Sequence, residues 1–252
     1  MIETYGSQQS DEWMKQRVGR ITASGMADCI AYLKRASNGK KAGESSKVRD
    51  NYKMKLIAER LTGRMANNFT SPEMEWGIQY EGEARQCYEM ATKTLVEPVN
   101  LVVHPRHDFI AASPDGLIDE DGVLEIKCPN TTTHLGYMVE DVMPDDYVPQ
   151  VATQLLCSGR NYVDFVSYDP RIEDSRGRFF YRRTTVEELR LEIYDGSVLE
   201  GKDVLDYIEA QAVLMNLEIE AFFASRGLTP VAPFELRVKE EDHERNRVAS
   251  CD

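Results

Sequence analysis

The segment Ser113–Pro129 has the sequence SPDGLIDEDGVLEIKCP, in which two short apolar runs flank an acidic stretch that contains glycine. Apolar runs of this length predict two strands, and the dipeptide Asp121-Gly122 is typical of a tight hairpin turn. Residues equidistant from such a turn face each other, so we expect Gly116 to pair near Lys127. The segment therefore predicts a β-hairpin.

This hairpin would gather charged groups on one surface. Glu125 and Lys127 are two residues apart and share one face of their strand, whereas Leu124 and Ile126 point the other way, into a core. Asp115 lies at the same end of the hairpin. Neighbouring carboxylates repel each other and need a counter-ion, which Lys127 supplies in part and magnesium or manganese would supply more fully. The alternative is an ordinary salt bridge on a surface hairpin.

Glu81 is a further acidic candidate, on a segment with strong helical signals. Ser71 can cap this helix, and Pro72 suits its first position. At helical spacing, Glu81 shares a stripe with three apolar residues, Met74, Ile78 and Tyr88. We therefore expect the helix to be buried and Glu81 to need a partner, which could be a group at the charged site or Arg85 one turn on.

The segment RVGRITAS, residues 17–24, is a candidate phosphate site. Arg17 and Arg20 come just before Ser24, and a helix is predicted to start near Thr22 or Ser24. Guanidinium groups, a hydroxyl and the free N–H groups of a helix start together suit a phosphate. The alternative is a helix whose cap has no ligand.

The composition describes a folded and unevenly charged chain. It has 252 residues, of which 42% are hydrophobic, and its net charge is −13. Residues 1–70 contain 13 Lys or Arg and 7 Asp or Glu, a net of +6, whereas residues 71–252 contain 17 and 36, a net of −19. A basic face can therefore meet a polyanion even though the whole chain is acidic, although a solvated basic loop gives the same count.

Features that the sequence lacks exclude several classes of protein. The five cysteines are widely spaced and include no Cys-x-x-Cys, which argues against a disulfide framework or a zinc site and favours a reducing cytosol. The sequence shows neither an apolar run of membrane-spanning length nor a secretory signal, so we expect a cytoplasmic location without membrane association. The predicted order of helices, then strands, then helices suggests an α/β or α+β domain with a central mixed sheet.

Four separate motifs resemble the PD-(D/E)xK nucleases, in the form of lambda exonuclease and the YqaJ-type viral recombinases. They are SPDG…LEIKCP, WMKQRVGRITAS from Trp13, WGIQYEGEAR from Trp76, and YVPQV from Tyr147, followed by SYDP at Ser167. Their order and spacing fit over roughly residues 11–225. The resemblance implies a restriction-endonuclease-like core in a single nuclease domain over residues 1–228. That domain would comprise a basic helical part (1–70), a catalytic core (71–182) and a C-terminal helical part (184–228), with a loose charged tail (229–252).

The resemblance also implies roles for individual residues. The metal ligands would be Asp115, Glu125, Glu81 and the main-chain carbonyl of Ile126. Lys127 would orient or deprotonate the attacking water, and Gln150 would support the nucleophile. The 5′ phosphate would be held by Arg17, Ser24 and Ser113. Two Mg²⁺ or Mn²⁺ ions per site are implied, and the resemblance leaves the choice between the two roles of Lys127 open.

The activity implied is 5′→3′ exonuclease digestion of one strand of linear duplex DNA. The 3′ single-stranded tails would pass to a single-strand annealing protein for recombination, inside a bacterial or phage-infected cell. A ring-shaped homotrimer is implied by the resemblance alone. Two alternatives stay open, a structure- or sequence-specific endonuclease of the same fold and a DNA-end-binding recombination protein without catalysis.

Overall fold

The computed structural model describes residues 11–37, 39–66 and 71–231. The helices are α1 (Asp11–Arg17), α2 (Met26–Cys29), α3 (Lys47–Thr62), α4 (Pro72–Thr92), α5 (Thr131–Glu140), α6 (Val148–Ser158), α7 (Ser175–Arg178) and α8 (Lys202–Arg226). The strands are β1 (Ile21–Thr22), β2 (Val96–Glu97), β3 (Val102–Val103), β4 (Ile110–Ala112), β5 (Gly116–Ile118), β6 (Gly122–Lys127), β7 (Tyr162–Tyr168), β8 (Phe179–Thr185), β9 (Arg190–Glu192) and β10 (Val198–Glu200).

Five strands form a central mixed sheet in the order β2-β5-β6-β7-β8. The pair β6 and β7 is parallel and is connected through α5 and α6, whereas the other neighbouring pairs are antiparallel. Smaller sheets have the orders β1-β4-β3 and β10-β9. A mixed sheet combined with helices confirms the predicted α/β (α+β) class.

Two apolar clusters cover the faces of the central sheet. One joins α4 to the sheet and contains Leu124 and Ile126, and the other contains Val123 together with residues of α6 and α8. Successive residues of β6 thus enter opposite clusters, which confirms that Leu124 and Ile126 point into a core. Alternation of this kind is what a strand covered on both faces requires.

The prediction that α4 is buried along its whole stripe is wrong in the first half of the helix. Met74 and Ile78 are 55% and 47% exposed, whereas Ala84 and Tyr88 are fully buried. The cluster on this face of the sheet meets α4 only from Tyr80 onward. The N-terminal end is nevertheless as predicted, with Pro72 in first position and the Ser71 side chain accepting a hydrogen bond from the N–H of Met74 at 3.2 Å.

The predicted register of the hairpin is wrong by three residues. Gly116 pairs with Leu124 rather than near Lys127, and Ile118 pairs with Gly122. The turn therefore lies one to two residues earlier than Asp121-Gly122, and it places Asp119 at a φ of +46°. Aspartate is among the residues that adopt this left-handed conformation most readily, because its short side chain can bond locally.

A distant arginine holds this turn. Arg160 donates from Nη1 to three main-chain carbonyls of the hairpin, those of Ile118 (3.0 Å), Asp119 (2.8 Å) and Gly122 (2.8 Å). Arg160 comes just before β7, which pairs with β6. The turn is thus anchored by the strand that packs beside it.

The helix predicted to start near Thr22 or Ser24 is very short. A 3₁₀ turn over Ala23–Gly25 leads into α2, which ends at Cys29. Beyond it the chain bonds to a loop instead of continuing the helix, since the N–H of Leu33 donates to the carbonyl of Glu44 at 2.9 Å. In contrast, α5 is a helix that the sequence patterns described above do not indicate.

A charged clamp attaches α8 to the connection between β3 and β4. Arg106 donates to both carboxylate oxygens of Glu209 at 2.7 Å, and His107 Nε2 lies 3.0 Å from Oε1. His104 Nδ1 accepts from the N–H groups of Arg106 and His107, so a neutral ring keeps its proton on Nε2, which faces Glu209 at 3.6 Å. His104, His107 and Glu209 are close enough to share a metal ion. In this structure, however, the Glu209 carboxylate is already bound by the Arg106 guanidinium and contacted by His107.

Within the described ranges, none of the helices is both long enough and apolar enough to cross a membrane. The described cysteines, Cys29, Cys87, Cys128 and Cys157, are all free thiols, in keeping with the predicted absence of a disulfide framework. Most of the tail predicted for residues 229–252 lies outside the described residues. The predicted subdivision of the domain stays a prediction.

Candidate active site

Asp115 lies beside the end of β6, where the hairpin brings its backbone and side chain against the neighbouring strand. Its N–H donates to the carbonyl of Leu124 at 3.0 Å, and its Oδ2 accepts from the N–H of Ile126 at 2.6 Å. One bond involves the residue before Glu125 and the other the residue after it, so the two bonds hold Asp115 beside Glu125. The corrected register thus places Asp115 closer to Glu125 than the predicted register would.

Glu125 is a buried carboxylate, 2% exposed, held by three donors. Gln150 Nε2 donates to Oε1 at 2.6 Å, and Gln154 Nε2 donates to Oε2. Lys127 Nζ lies 2.5 Å from Oε1. Both glutamines come from one face of α6, because residues four apart share a helix face. Helix α6 and strand β6 together therefore fix the carboxylate in position.

Lys127 points into a cleft between β6 and α4. Its Nζ also donates to Gln150 Oε1 at 3.3 Å and lies 4.9 Å from the ring centroid of Tyr147. Burial by itself would lower the pKa of Lys127, but the charges of Glu125 and Asp115 outweigh burial and raise it. The side chain is therefore an ammonium here, and it balances part of the negative charge.

Glu81 reaches the same cleft from α4. It pairs with Arg85 Nη2 at 2.6 Å, which is the partner that the helical spacing allowed. Burial raises the pKa of Glu81, Arg85 opposes this shift, and the charge of Glu125 adds to it. Glu81 thus interacts electrostatically with Glu125 at the end of the hairpin.

The carboxylates of this site carry more negative charge than Lys127 balances. Burial, followed by the charges of Glu125 and Glu81, raises the pKa of Asp115 well above its usual range, although Lys127 and the N–H of Ile126 act in the opposite direction. A cation would relieve this repulsion, and an all-oxygen donor set suits a hard divalent ion such as Mg²⁺. These residues therefore fit a divalent metal. Because Lys127 and a glutamine share Oε1 of Glu125, a cation at that oxygen must displace one of them.

A second group of side chains lies directly upstream of Asp115. Arg17 donates from Nη1 to Ser113 Oγ and from Nη2 to Ser24 Oγ, both at 3.3 Å. Trp13 also donates to Ser113 Oγ at 3.1 Å, and the Arg17 guanidinium stacks 4.4 Å from the centroid of the Trp13 ring. The three residues expected to hold a phosphate are thus brought together, although Ser113 is far from the other two in the sequence.

Arg20 is not part of this group. It is 2% exposed and donates to the main-chain carbonyls of Asp108 (2.6 Å) and Gln16 (2.5 Å). The expectation that Arg20 grips a phosphate is therefore wrong, because its guanidinium is committed to holding α1 and the start of β4. The anion site also gains nothing from a long helix, since α2 has only four residues.

Gln154 is the site residue that sequence reasoning missed. It is fully buried, and its amide contacts the carboxylate expected to bind metal. The available signal was its position four residues after Gln150, which places both amides on one face of α6.

Solved structures with a similar fold include exonucleases. The alkaline exonuclease LHK-Exo of Laribacter hongkongensis is 31% identical, superposes with a TM-score of 0.70, and the match covers 86% of this chain and 96% of that chain. The same protein in complex with dAMP gives the same identity and TM-score over 98% of its length. A phage-related exonuclease of Haemophilus somnus 129PT shares the fold at 9% identity and a TM-score of 0.59, over 82% of this chain and 96% of that one. The chain thus has the fold of these exonucleases, with a charged cleft at the end of its central hairpin.

The family model for the YqaJ-like viral recombinase domain matches residues 12–161. The chain belongs to the YqaJ-like viral recombinase family. An uncharacterized protein of Acanthamoeba polyphaga mimivirus is also similar, at 27% identity over 173 residues, or 63% of this chain. The chain spans only 28% of that longer viral protein.

Proposed function

We propose that this chain is a metal-dependent exonuclease that digests one strand of linear duplex DNA in the 5′→3′ direction. A single observation carries the proposal: the acidic and lysine cluster of Asp115, Glu125 and Lys127 lies immediately next to the group formed by Arg17, Ser24 and Ser113. The first group suits phosphodiester hydrolysis, and the second suits an anionic end. LHK-Exo, whose solved complex contains dAMP, has the same fold and supports a nucleotide substrate.

Four groups of the chain would hold Mg²⁺ or Mn²⁺, two ions per site: Asp115, Glu125, Glu81 and the main-chain carbonyl of Ile126. When bound, such ions supply a nucleophilic water at neutral pH and neutralise charge on the phosphate. Asp115 is oriented for this role by the N–H of Ile126, and Glu125 by two glutamine amides. Positioning of this kind keeps the ligands from turning away when the site is empty of substrate.

Lys127 and Gln150 would act on the nucleophile side. Gln150 binds Glu125 through its amide nitrogen and Lys127 through its amide oxygen, so it fixes the distance between the two charges. As an ammonium, Lys127 can donate to a water or to a phosphate oxygen and offset developing negative charge. To act as a base it must first lose a proton, which Glu125 and Asp115 oppose.

The proposed phosphate site, formed by Arg17, Ser24 and Ser113, would set the polarity of digestion. Ser113 and Asp115 are two residues apart, a span of at most about 7 Å along the chain. A terminal 5′ phosphate on Ser113, Arg17 and Ser24 would therefore place the next linkage of the same strand near the acidic cluster. Cleavage there releases a mononucleotide and leaves a 3′ overhang. We further propose that these overhangs serve recombination through a single-strand annealing protein, and that the chain assembles into a ring-shaped trimer.

End-labelled linear duplex tests the reaction. We expect magnesium-dependent loss of a 5′ label as mononucleotide, no attack on covalently closed circular duplex, and no activity in Asp115→Ala or Lys127→Ala at an unchanged circular dichroism spectrum. Digestion of closed circles would support an endonuclease instead. Binding of DNA ends without any nucleotide release would support a recombination protein without catalysis.

A further inference from the structure

A pocket next to the proposed phosphate site has a second wall that the family motifs do not include. It is lined by Arg17, Thr22, Ser24 and Gly25 on one side and by α3 on the other, where Val48, Asn51 and Lys55 contribute. Asp28 also lines it. The pocket therefore contains two cations and one carboxylate, and without Lys55 the charges of its lining would cancel.

The two walls are held close together by Tyr52. Its side chain is 6% exposed, and its hydroxyl accepts a hydrogen bond from the N–H of Thr22 at 3.2 Å. Gly25 packs so tightly here that an added Cβ would lie 2.3 Å from the same hydroxyl. Lys55 follows Tyr52 by three residues and thus lies on the same side of α3. Lys55 is therefore kept near Ser24 by packing.

The ammonium of Lys55 is available to a ligand. Its nearest carboxylate oxygen, Oε1 of Glu59, is 4.0 Å away, at the limit of ion pairing, and the Lys55 side chain is 41% exposed. The carboxylate of Glu59 already accepts from the N–H groups of Gly19 (3.0 Å) and Ala66 (3.2 Å). Only the lysine end of this pair is exposed, since the Glu59 side chain is 3% exposed, but the two main-chain donors would still hold the carboxylate if Lys55 turned toward a phosphate.

We propose that Lys55 is a specificity-determining residue that selects a terminal 5′ phosphate over a 5′ hydroxyl. This inference rests on the proposed function, because it assigns the ligand of the same phosphate site. A terminal phosphate monoester carries close to two negative charges at neutral pH, whereas an internal diester carries one. Arg17 balances one charge, and Lys55, on the opposite wall, balances the second. Thr22 and Asn51 add a hydroxyl and an amide that can donate to the remaining oxygens.

The test compares digestion of otherwise identical duplexes that carry a 5′ phosphate or a 5′ hydroxyl. We expect Lys55→Gln to lower the ratio of the two rates about tenfold, the size of one charge-assisted hydrogen bond. Lys55→Arg should keep most of the ratio, and the exposed Lys202→Gln on α8 should leave it unchanged. The inference is overturned if Lys55→Gln keeps the wild-type ratio or slows both substrates equally.

Binding of dAMP in the presence of EDTA separates this inference from the proposed function. Calorimetry should show about tenfold weaker binding of dAMP by Lys55→Gln, with little change for deoxyadenosine, whether or not the chain digests DNA. Equal dAMP affinity in wild type and Lys55→Gln overturns the role of Lys55 even if digestion is 5′→3′. A wild-type enzyme that digests both ends equally overturns the proposed phosphate site and the role of Lys55 together.

Discussion

Asp115→Asn should stabilise the metal-free protein while abolishing nuclease activity. Asparagine keeps the shape of the side chain and can still accept a hydrogen bond from the N–H of Ile126, but it removes one charge from beside Glu125 and Glu81. Burial and these two carboxylates raise the pKa of Asp115, so its charged form is disfavoured in the folded state. The wild-type residue is therefore retained at a cost in stability.

The change in the free energy of unfolding is the relief of charge repulsion minus the loss of hydrogen-bond strength. At an effective dielectric constant of about 20, a unit charge about 6 Å away contributes about 3 kcal/mol. Two neighbouring carboxylates opposed by one ammonium, Lys127, leave about one such repulsion. The weaker hydrogen bond to the asparagine amide offsets about 1 kcal/mol, and partial exposure of the side chain reduces the sum further. We expect a net gain of about 1–2 kcal/mol in the free energy of unfolding, or about 3–6 °C in Tm for a chain of this size.

Thermal unfolding at pH 7.5 in EDTA measures the gain directly. The exposed Asp206→Asn on α8 is the matched control and should change Tm little. Added Mg²⁺ should then raise the Tm of the wild type and raise that of Asp115→Asn much less, because a ligand stabilises only the folded state that binds it. A lower Tm for Asp115→Asn than for wild type in EDTA would refute the charge-crowding argument.

Three further predictions concern other parts of the structure. Tyr88→Phe removes the buried hydroxyl that donates to Asp164 at 2.6 Å and should cost about 1.5–3 kcal/mol in urea unfolding; a loss below about 0.5 kcal/mol would contradict a functioning bond. Gln154→Leu should lower kcat by more than tenfold at an unchanged KM, since Glu125 loses the donor on Oε2, and a change confined to KM would place Gln154 elsewhere. Burial lowers the pKa of His104; Glu209 opposes this shift, and His107 and Arg106 add to it. On acidification the unfolded chain therefore binds this proton before the folded chain does, so the free energy of unfolding falls as pH drops below about 6.5. His104→Gln should flatten that slope, and an unchanged slope would exclude this histidine as its cause.

The side chains of the candidate site could be read from the sequence, because their order along a strand is a local property. Glu125 and Lys127 share a face in any straight strand, and Leu124 must then point away. The local pattern already placed Arg17 and Ser24 in one candidate phosphate site, whereas Ser113 was expected there only from the family resemblance, since its contacts with Trp13 and Arg17 span 100 and 96 positions. Local patterns contain no information about such distances.

The errors have the same origin. The hairpin register was misjudged because Asp121-Gly122 is a good local turn signal, whereas the actual turn depends on Arg160, a residue beyond two intervening helices. Arg20 was assigned to a phosphate because guanidinium groups commonly bind one, and only the folded chain shows that carbonyls of Gln16 and Asp108 surround it. In both cases tertiary contacts outweighed a local preference.

The grip of Arg160 on main-chain carbonyls has an evolutionary consequence. Every amino acid at positions 118, 119 and 122 presents a carbonyl, so the three bonds put no demand on the side chains there. Other contacts do constrain them, since Ile118 is fully buried and a Cβ at position 122 would lie 2.3 Å from the Tyr162 ring. The bonds depend instead on the side chain at position 160, which must bring a single donor nitrogen within reach of all three carbonyls. Relatives that keep this hairpin should therefore vary at the exposed position 120 of the turn and retain a long basic side chain at position 160.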